Sequence, residues 1–124
     1  MDLITIEEVN GIYDAIDALP EKNAILDNLV WIEMKGGPYG GVYETWEEIV
    51  SNVFDKLGAD WDEFKVVPGE FIQTKEAIAM VGNYTGISKK NKNALNARVI
   101  HLWRKKDGKY IFEQFADTAL LYKF

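Results

Sequence analysis

The chain has no cysteine, one histidine, three prolines and fewer basic than acidic residues, and each shortage removes a class of function. Without thiols there are no disulfides, thiolate nucleophiles or cysteine-based metal sites, so stability has to come from packing. A lone histidine leaves only carboxylate-dominated metal sites, and no spacing of Asp and Glu here resembles one. Lys and Arg number 14 against 20 Asp and Glu, a formal net charge of −6, and nucleic-acid affinity depends on clustered cations; no nucleic-acid partner is expected. The densest basic stretch, Lys89-Lys90-Asn91-Lys92, falls in a Gly/Ser/Asn-rich connection and reads as the decoration of a hairpin tip. No apolar run approaches membrane-spanning length, and the acidic start MDLITIEEVNGIYDAI has neither the basic nor the continuous apolar region of a signal peptide; the expectation is a cytoplasmic protein with no membrane partner. GxSxG and P-loop motifs are missing too, and the glycines from Gly36 to Gly41 follow a strand without the GxGxxG pattern or its strand-helix-strand setting.

What is present is a chain of 124 residues, 48% hydrophobic and 13% aromatic, which suits one domain over 1–124 with one sizeable core. Val9, Ile12, Tyr13, Ile16 and Leu19 recur at helical spacing from Thr5 onward, with Thr5 or Asp2 available as cap and Pro20 as the stop. A short helical turn is expected over Glu21 to Leu26, then a strand through Val30-Trp31-Ile32 into the glycine-rich turn. Thr45 and Glu48 have capping-box spacing ahead of a second helix whose stripe is Ile49, Val50, Val53, Phe54 and Leu57, with Gly58 as its natural end. Thereafter the pattern predicts strands over Glu63–Val67, Glu70–Thr74, Ala77–Thr85, Ala94–Lys105 and Lys109–Asp117, with Pro68-Gly69 as one of the turns between them. Helices first and a long antiparallel run afterwards make an α+β domain, the helices packed on one face of a curved sheet.

Strand periodicity raises one question. Glu33 is two places after Trp31, so if Trp31 is buried the carboxylate goes in with it; the alternative is a strand that ends at Ile32 and leaves Glu33 in solvent. Likewise Val99, His101 and Trp103 share one face of their strand, opposite Arg98, Ile100, Leu102 and Arg104, and Phe112, Gln114 and Ala116 fall together opposite Ile111, Glu113, Phe115 and Asp117. If Trp31, His101 and Phe112 look into one hollow, then Glu33, His101 and Gln114 are its sparse polar groups, the usual make-up of a small-molecule site.

Tyr13 on the first helix, Val30-Trp31-Ile32-Glu33 with the Gly36-to-Gly41 turn, Arg98-Val99-Ile100-His101-Leu102-Trp103 before Asp107-Gly108-Lys109, and Phe112 through Thr118 together resemble the nuclear transport factor 2-like superfamily, in its ketosteroid isomerase and SnoaL-like polyketide cyclase branch. The likeness covers nearly the whole chain. It implies a cystatin-like, cone-shaped barrel, a curved mixed or antiparallel sheet wrapped around N-terminal helices, with an internal pocket for a small hydrophobic ligand and no cofactor. By the same resemblance Glu33 falls where ketosteroid isomerases carry their proton-shuttling carboxylate, a role borrowed from that enzyme and not read from this chain. His101 lies near the place of their oxyanion-donating acid and resembles the histidine that polyketide cyclases use. Tyr13 would be a second oxyanion donor, and Asp117 an alternative base, although alternation sets it opposite Gln114 and only a bulge would bring both into the pocket.

Each of these has a plainer reading: an exposed Glu33, a His101 satisfied within the sheet, a Tyr13 ring packed in the core and an Asp117 at the rim of the fold. Trp31, Phe54, Met80, Tyr84, Trp103, Phe112 and Gln114 are expected to be at once core and pocket wall. The function expected is cofactor-free proton abstraction from a hydrophobic carbonyl compound, isomerising or cyclising it; the competing expectation is a binding module without catalysis. Arg98, Ile100, Leu102 and Arg104 give the outer face an apolar centre with a charged rim, which suits a homodimer, as the resemblance also implies.

Overall fold

The computed structural model of the chain describes residues 2–18 and 24–117. Leu19, Pro20, the Glu21-to-Asn23 part of the expected turn, and Thr118 lie outside the described residues. Helix α1 (Ile6–Asp17) starts at Thr5, whose side chain accepts the Glu8 amide while the Glu8 carboxylate accepts the Thr5 amide, a reciprocal cap. Its Val9 and Ile12 are fully buried. A 3₁₀ turn (Ala24–Asn28) leads into β1 (Leu29–Glu33), and a glycine turn, with Gly36 at φ +92°, returns the chain as β2 (Gly41–Tyr43). The sequence pattern missed this short strand because its three residues are too few to show alternation.

Thr45 then caps α2 (Trp46–Ile49), which continues through a single π turn (Val50–Phe54) into α3 (Asp55–Asp60), all with helical backbone at the junctions. Gly58 was the expected stop, yet the helix passes it and closes at Trp61, whose amide bonds to Leu57. Beyond lie β3 (Trp61–Gln73), β4 (Ile78–Ser88), β5 (Ala94–Lys106) and β6 (Lys109–Ala116). Here too an expectation is corrected: Pro68-Gly69 is no turn but a bulge inside β3, where the register shifts between Pro68 and Glu70. Proline is tolerated because β3 is an edge strand, and glycine is required because a Cβ at residue 69 would lie 2.7 Å from the Val81 carbonyl oxygen. Lys89 to Asn91 do form the tip of the β4–β5 connection.

The sheet runs β2-β1-β6-β5-β4-β3, antiparallel except that β1 lies parallel to β6. Among the described residues it is therefore a curved mixed sheet with β2 and β3 at its edges rather than a closed barrel, and the α+β cone arises from its bend around the helices. Two buried clusters fill the concave side. One joins α1 and the long helix to Trp31, Trp103 and Phe112; the other gathers Trp61, Tyr84, Leu95, Ala97 and Val99 at the far end. Among the described residues no helix is long and apolar enough to cross a membrane.

Candidate active site

Between the two clusters lies a cavity of about 750 Å³. Its polar wall begins with β1, whose alternation buries Leu29, Trp31 and Glu33; the strand extends through Glu33, so the carboxylate is only 6% exposed. Glu33 Oε1 accepts the indole N–H of Trp31 at 3.1 Å. Trp31 is in turn held by Phe112, its register partner on β6, with ring centroids 3.8 Å apart. Burial disfavours the ionised form and lifts the Glu33 pKa to about 7, the Trp31 hydrogen bond offsetting this in part. The carboxylate is thus divided between base and acid at neutral pH.

The other polar feature is a hydrogen-bonded cluster around the only histidine. Inward positions of β5 carry His101 and Trp103, and register pairs His101 with Gln114 on β6 and Met80 on β4. The Tyr13 hydroxyl, brought across from α1, is 2.7 Å from His101 Nδ1, and the Tyr84 hydroxyl is 2.6 Å from Nε2. Trp103 donates its indole N–H to the Tyr13 oxygen at 3.1 Å. Gln114 donates from Nε2 to the Tyr84 oxygen at 2.8 Å, and its own oxygen accepts the Met34 amide at 3.2 Å. Burial keeps the imidazole neutral, its pKa lowered to about 3, and pushes both tyrosine hydroxyls above their ordinary value.

The structure brings Glu33, His101 and Tyr13 to one cavity, together with Trp31, Phe54 and Tyr84. It corrects the sequence expectations at several points. His101 lines the cavity, but both of its ring nitrogens are engaged by tyrosine hydroxyls, so neither is open to a ligand oxygen while those contacts hold. Asp117 is no base for this cavity: no bulge interrupts the β5–β6 register, so it falls on the outer side, beside a shallow groove with Arg98, Ile100 and Phe115. Met80, Trp103, Phe112 and Gln114 are buried but do not line the cavity; Trp103, Phe112 and Gln114 stand behind the wall and hold Tyr13, Trp31 and Tyr84. The pattern missed Val53, Leu57, Trp61, Phe64 and Val66 as wall residues. Val53 and Leu57 were visible on the helix stripe, but the bulge at Glu63, with φ +54° and a register shift between Asp62 and Lys65, puts Trp61 and Phe64 on one side against strict alternation. Among the described residues no group of three or more His, Asp or Glu side chains gathers where a metal could be held.

Comparison with known proteins places this geometry among related cones. No protein-family model matches the sequence, and no curated protein does either. Among solved structures the chain is similar to a nuclear transport factor 2-like protein from Burkholderia thailandensis E264, at 31% identity over 94% of this chain and 93% of the other, with a TM-score of 0.80. It is also similar to such a protein of unknown function from Burkholderia pseudomallei K96243, at 24% identity, 95% and 94% coverage and TM-score 0.80. A protein with a ketosteroid isomerase-like fold from Catenulispora acidiphila DSM 44928, in complex with trimethylamine, shares the fold at 13% identity, 95% and 91% coverage and TM-score 0.69. Candidate SnoaL-like polyketide cyclases are among the further matches to the same fold.

Proposed function

Because the chain belongs to the nuclear transport factor 2-like superfamily, we propose that its cavity takes a small hydrophobic carbonyl compound from which Glu33 abstracts an acidic proton, without a cofactor. The observation that carries this reading is a buried carboxylate on a largely apolar cavity wall, its pKa raised by burial to about 7, in a cavity that the Tyr13 and Tyr84 side chains also line. Trp31 engages Glu33 Oε1, which leaves Oε2 for a substrate proton. Charge developing on the carbonyl oxygen would be met by a tyrosine O–H, a donor that costs no reorganisation because its neighbours already hold it. Isomerisation or intramolecular aldol closure follows from the same enolate.

A direct test uses 1-tetralone, a bicyclic aromatic ketone with acidic α-hydrogens, in deuterated buffer. Glu33→Gln should slow α-exchange on the bound ketone by at least ~100-fold, the usual worth of a positioned base, while affinity stays nearly intact. Equal exchange in both proteins would remove Glu33 from the mechanism. Binding without exchange in the unmutated protein would favour a cavity that only sequesters its ligand.

The outer face of β5, with Arg98, Ile100, Leu102 and Arg104, is proposed as the surface of a homodimer. Ile100 and its register partner Phe115 are 40% and 43% exposed, and Arg104 lies 3.6 Å from Glu113 beside them, an apolar centre edged by charge.

A further inference from the structure

The cluster around His101 has one hydrogen more than its internal contacts can use. Its two ends are fixed donors. Trp103 can only donate to Tyr13, and Gln114 is oriented by the Met34 amide, which must face the side-chain oxygen and so turns the NH₂ group to Tyr84. Between those ends lie three mobile hydrogens, the two tyrosine O–H and the single N–H of a neutral imidazole, and only two contacts to fill. With Nδ1 protonated, His101 donates to Tyr13, Tyr84 donates to Nε2, and the Tyr13 hydrogen is left over. With Nε2 protonated, the roles reverse and the Tyr84 hydrogen is left over. Burial excludes the charged ring as a third state under ordinary conditions, and both tyrosines border the cavity.

We infer that Tyr13 and Tyr84 form a pair of alternative oxyanion donors, of which the His101 tautomer releases one at a time to the oxygen of a bound carbonyl compound. His101 is then a positioning residue, acting through the hydroxyls and never on the ligand. The site offers a ligand oxygen one strong neutral donor at either of two places, so it suits acceptor-only oxygens, ketones and the enolates derived from them, and disfavours groups that bring a second donor hydrogen to the same spot. The inference deepens the proton-abstraction reading and rests on it for the carbonyl, but not on any turnover.

The chain's only histidine makes the ring nitrogens an unambiguous signal in protein labelled with ¹⁵N-histidine. The probe is 1-tetralone, which has an acceptor oxygen and no O–H or N–H. At saturation, Tyr13→Phe should carry the hydrogen on Nε2 and Tyr84→Phe on Nδ1. Each single variant should keep the red-shifted carbonyl stretch of the bound ketone and stay within about tenfold of the parent affinity, whereas the double variant loses the shift and binds about tenfold more weakly than either single, the scale of one hydrogen bond. Phe preserves ring volume, and circular dichroism checks that each variant is folded. A variant that does not fold is replaced by the unmutated protein, in which adding the ketone should change the tautomer ratio. The same tautomer in both single variants, a ratio that the ketone leaves unchanged, a single variant as impaired as the double, or no binding of 1-tetralone at millimolar concentration would each overturn the inference. These readings do not involve Glu33, so loss of the base mechanism and loss of the tautomer pair are distinguishable outcomes.

Discussion

At the scale of single residues the two buried titratable groups pull stability in opposite directions. Glu33 binds its proton more tightly in the folded chain, with a pKa of about 7 against 4.5, so its stabilising share is complete below about pH 4.5 and is lost as the pH rises to 7. His101 is the reverse: lowered from 6.5 to about 3, it contributes fully above 6.5 and loses that share as the pH falls towards 3. Between these limits the slopes oppose each other and the parent curve is flattened. Glu33→Gln removes one limb only. Measured by urea unfolding, the variant should match the parent near pH 4 and exceed it by about 3 kcal/mol at pH 8, each pKa unit being worth about 1.4 kcal/mol. A difference that stays constant with pH would show that the carboxylate is not desolvated.

At the scale of elements the long helix does two jobs, packing against β1 and lining the cavity. Val53 and Phe54, in the π turn, and Leu57 face the cavity, and Gly58 beside them would give a Cβ nothing to meet within 4 Å. Gly11 in α1 has the same freedom but does not border the cavity. Gly11→Ala and Gly58→Ala should therefore each stabilise the fold by about 0.5–1 kcal/mol through helix propensity. Only substitutions at Gly58 should also weaken 1-tetralone binding, progressively from Ala to Leu as the side chain takes up cavity space. Calorimetric melting and binding on the same samples separate the two effects, and equal affinity across the Gly58 series would show that the ligand does not reach this part of the wall. Elements of this kind were legible in the sequence wherever one face repeats: the α1 stripe, the Thr45 cap, and the alternation that carries Trp31 and Glu33 inward together. What alternation could not show were places where the period breaks, namely the β3 bulges, the helix running past Gly58, and the Tyr84 hydroxyl reaching a histidine seventeen positions away on the next strand. The site was half legible for the same reason. Its acid and its imidazole follow from period two, but that the imidazole is consumed by two tyrosines depends on three-dimensional reach.

At the scale of the whole molecule the open sheet leaves its convex side to be accounted for. The concave side is filled by helices, while Ile100 and Phe115 meet across β5 and β6 on the other side, with Ile72 outward on β3 by alternation with the inward Phe71. A specific pairing needs roughly 1,000 Å² or more of buried surface, more than these side chains supply alone, so Arg98, Leu102 and Arg104 must take part. Two copies face to face would let Arg104 of each, already 3.6 Å from its own Glu113, also reach the Glu113 of the other. Sedimentation of the unmutated chain at about 10 µM should then report twice the monomer mass, and Ile100→Glu, which places a carboxylate at the centre of the apolar patch, should return it to monomer without changing the cavity. Because Ile100 points away from the fold, that variant should still bind 1-tetralone as the parent does. A monomer before substitution removes the dimer, and a dimer that survives Ile100→Glu moves it to one of the edge strands, β2 or β3.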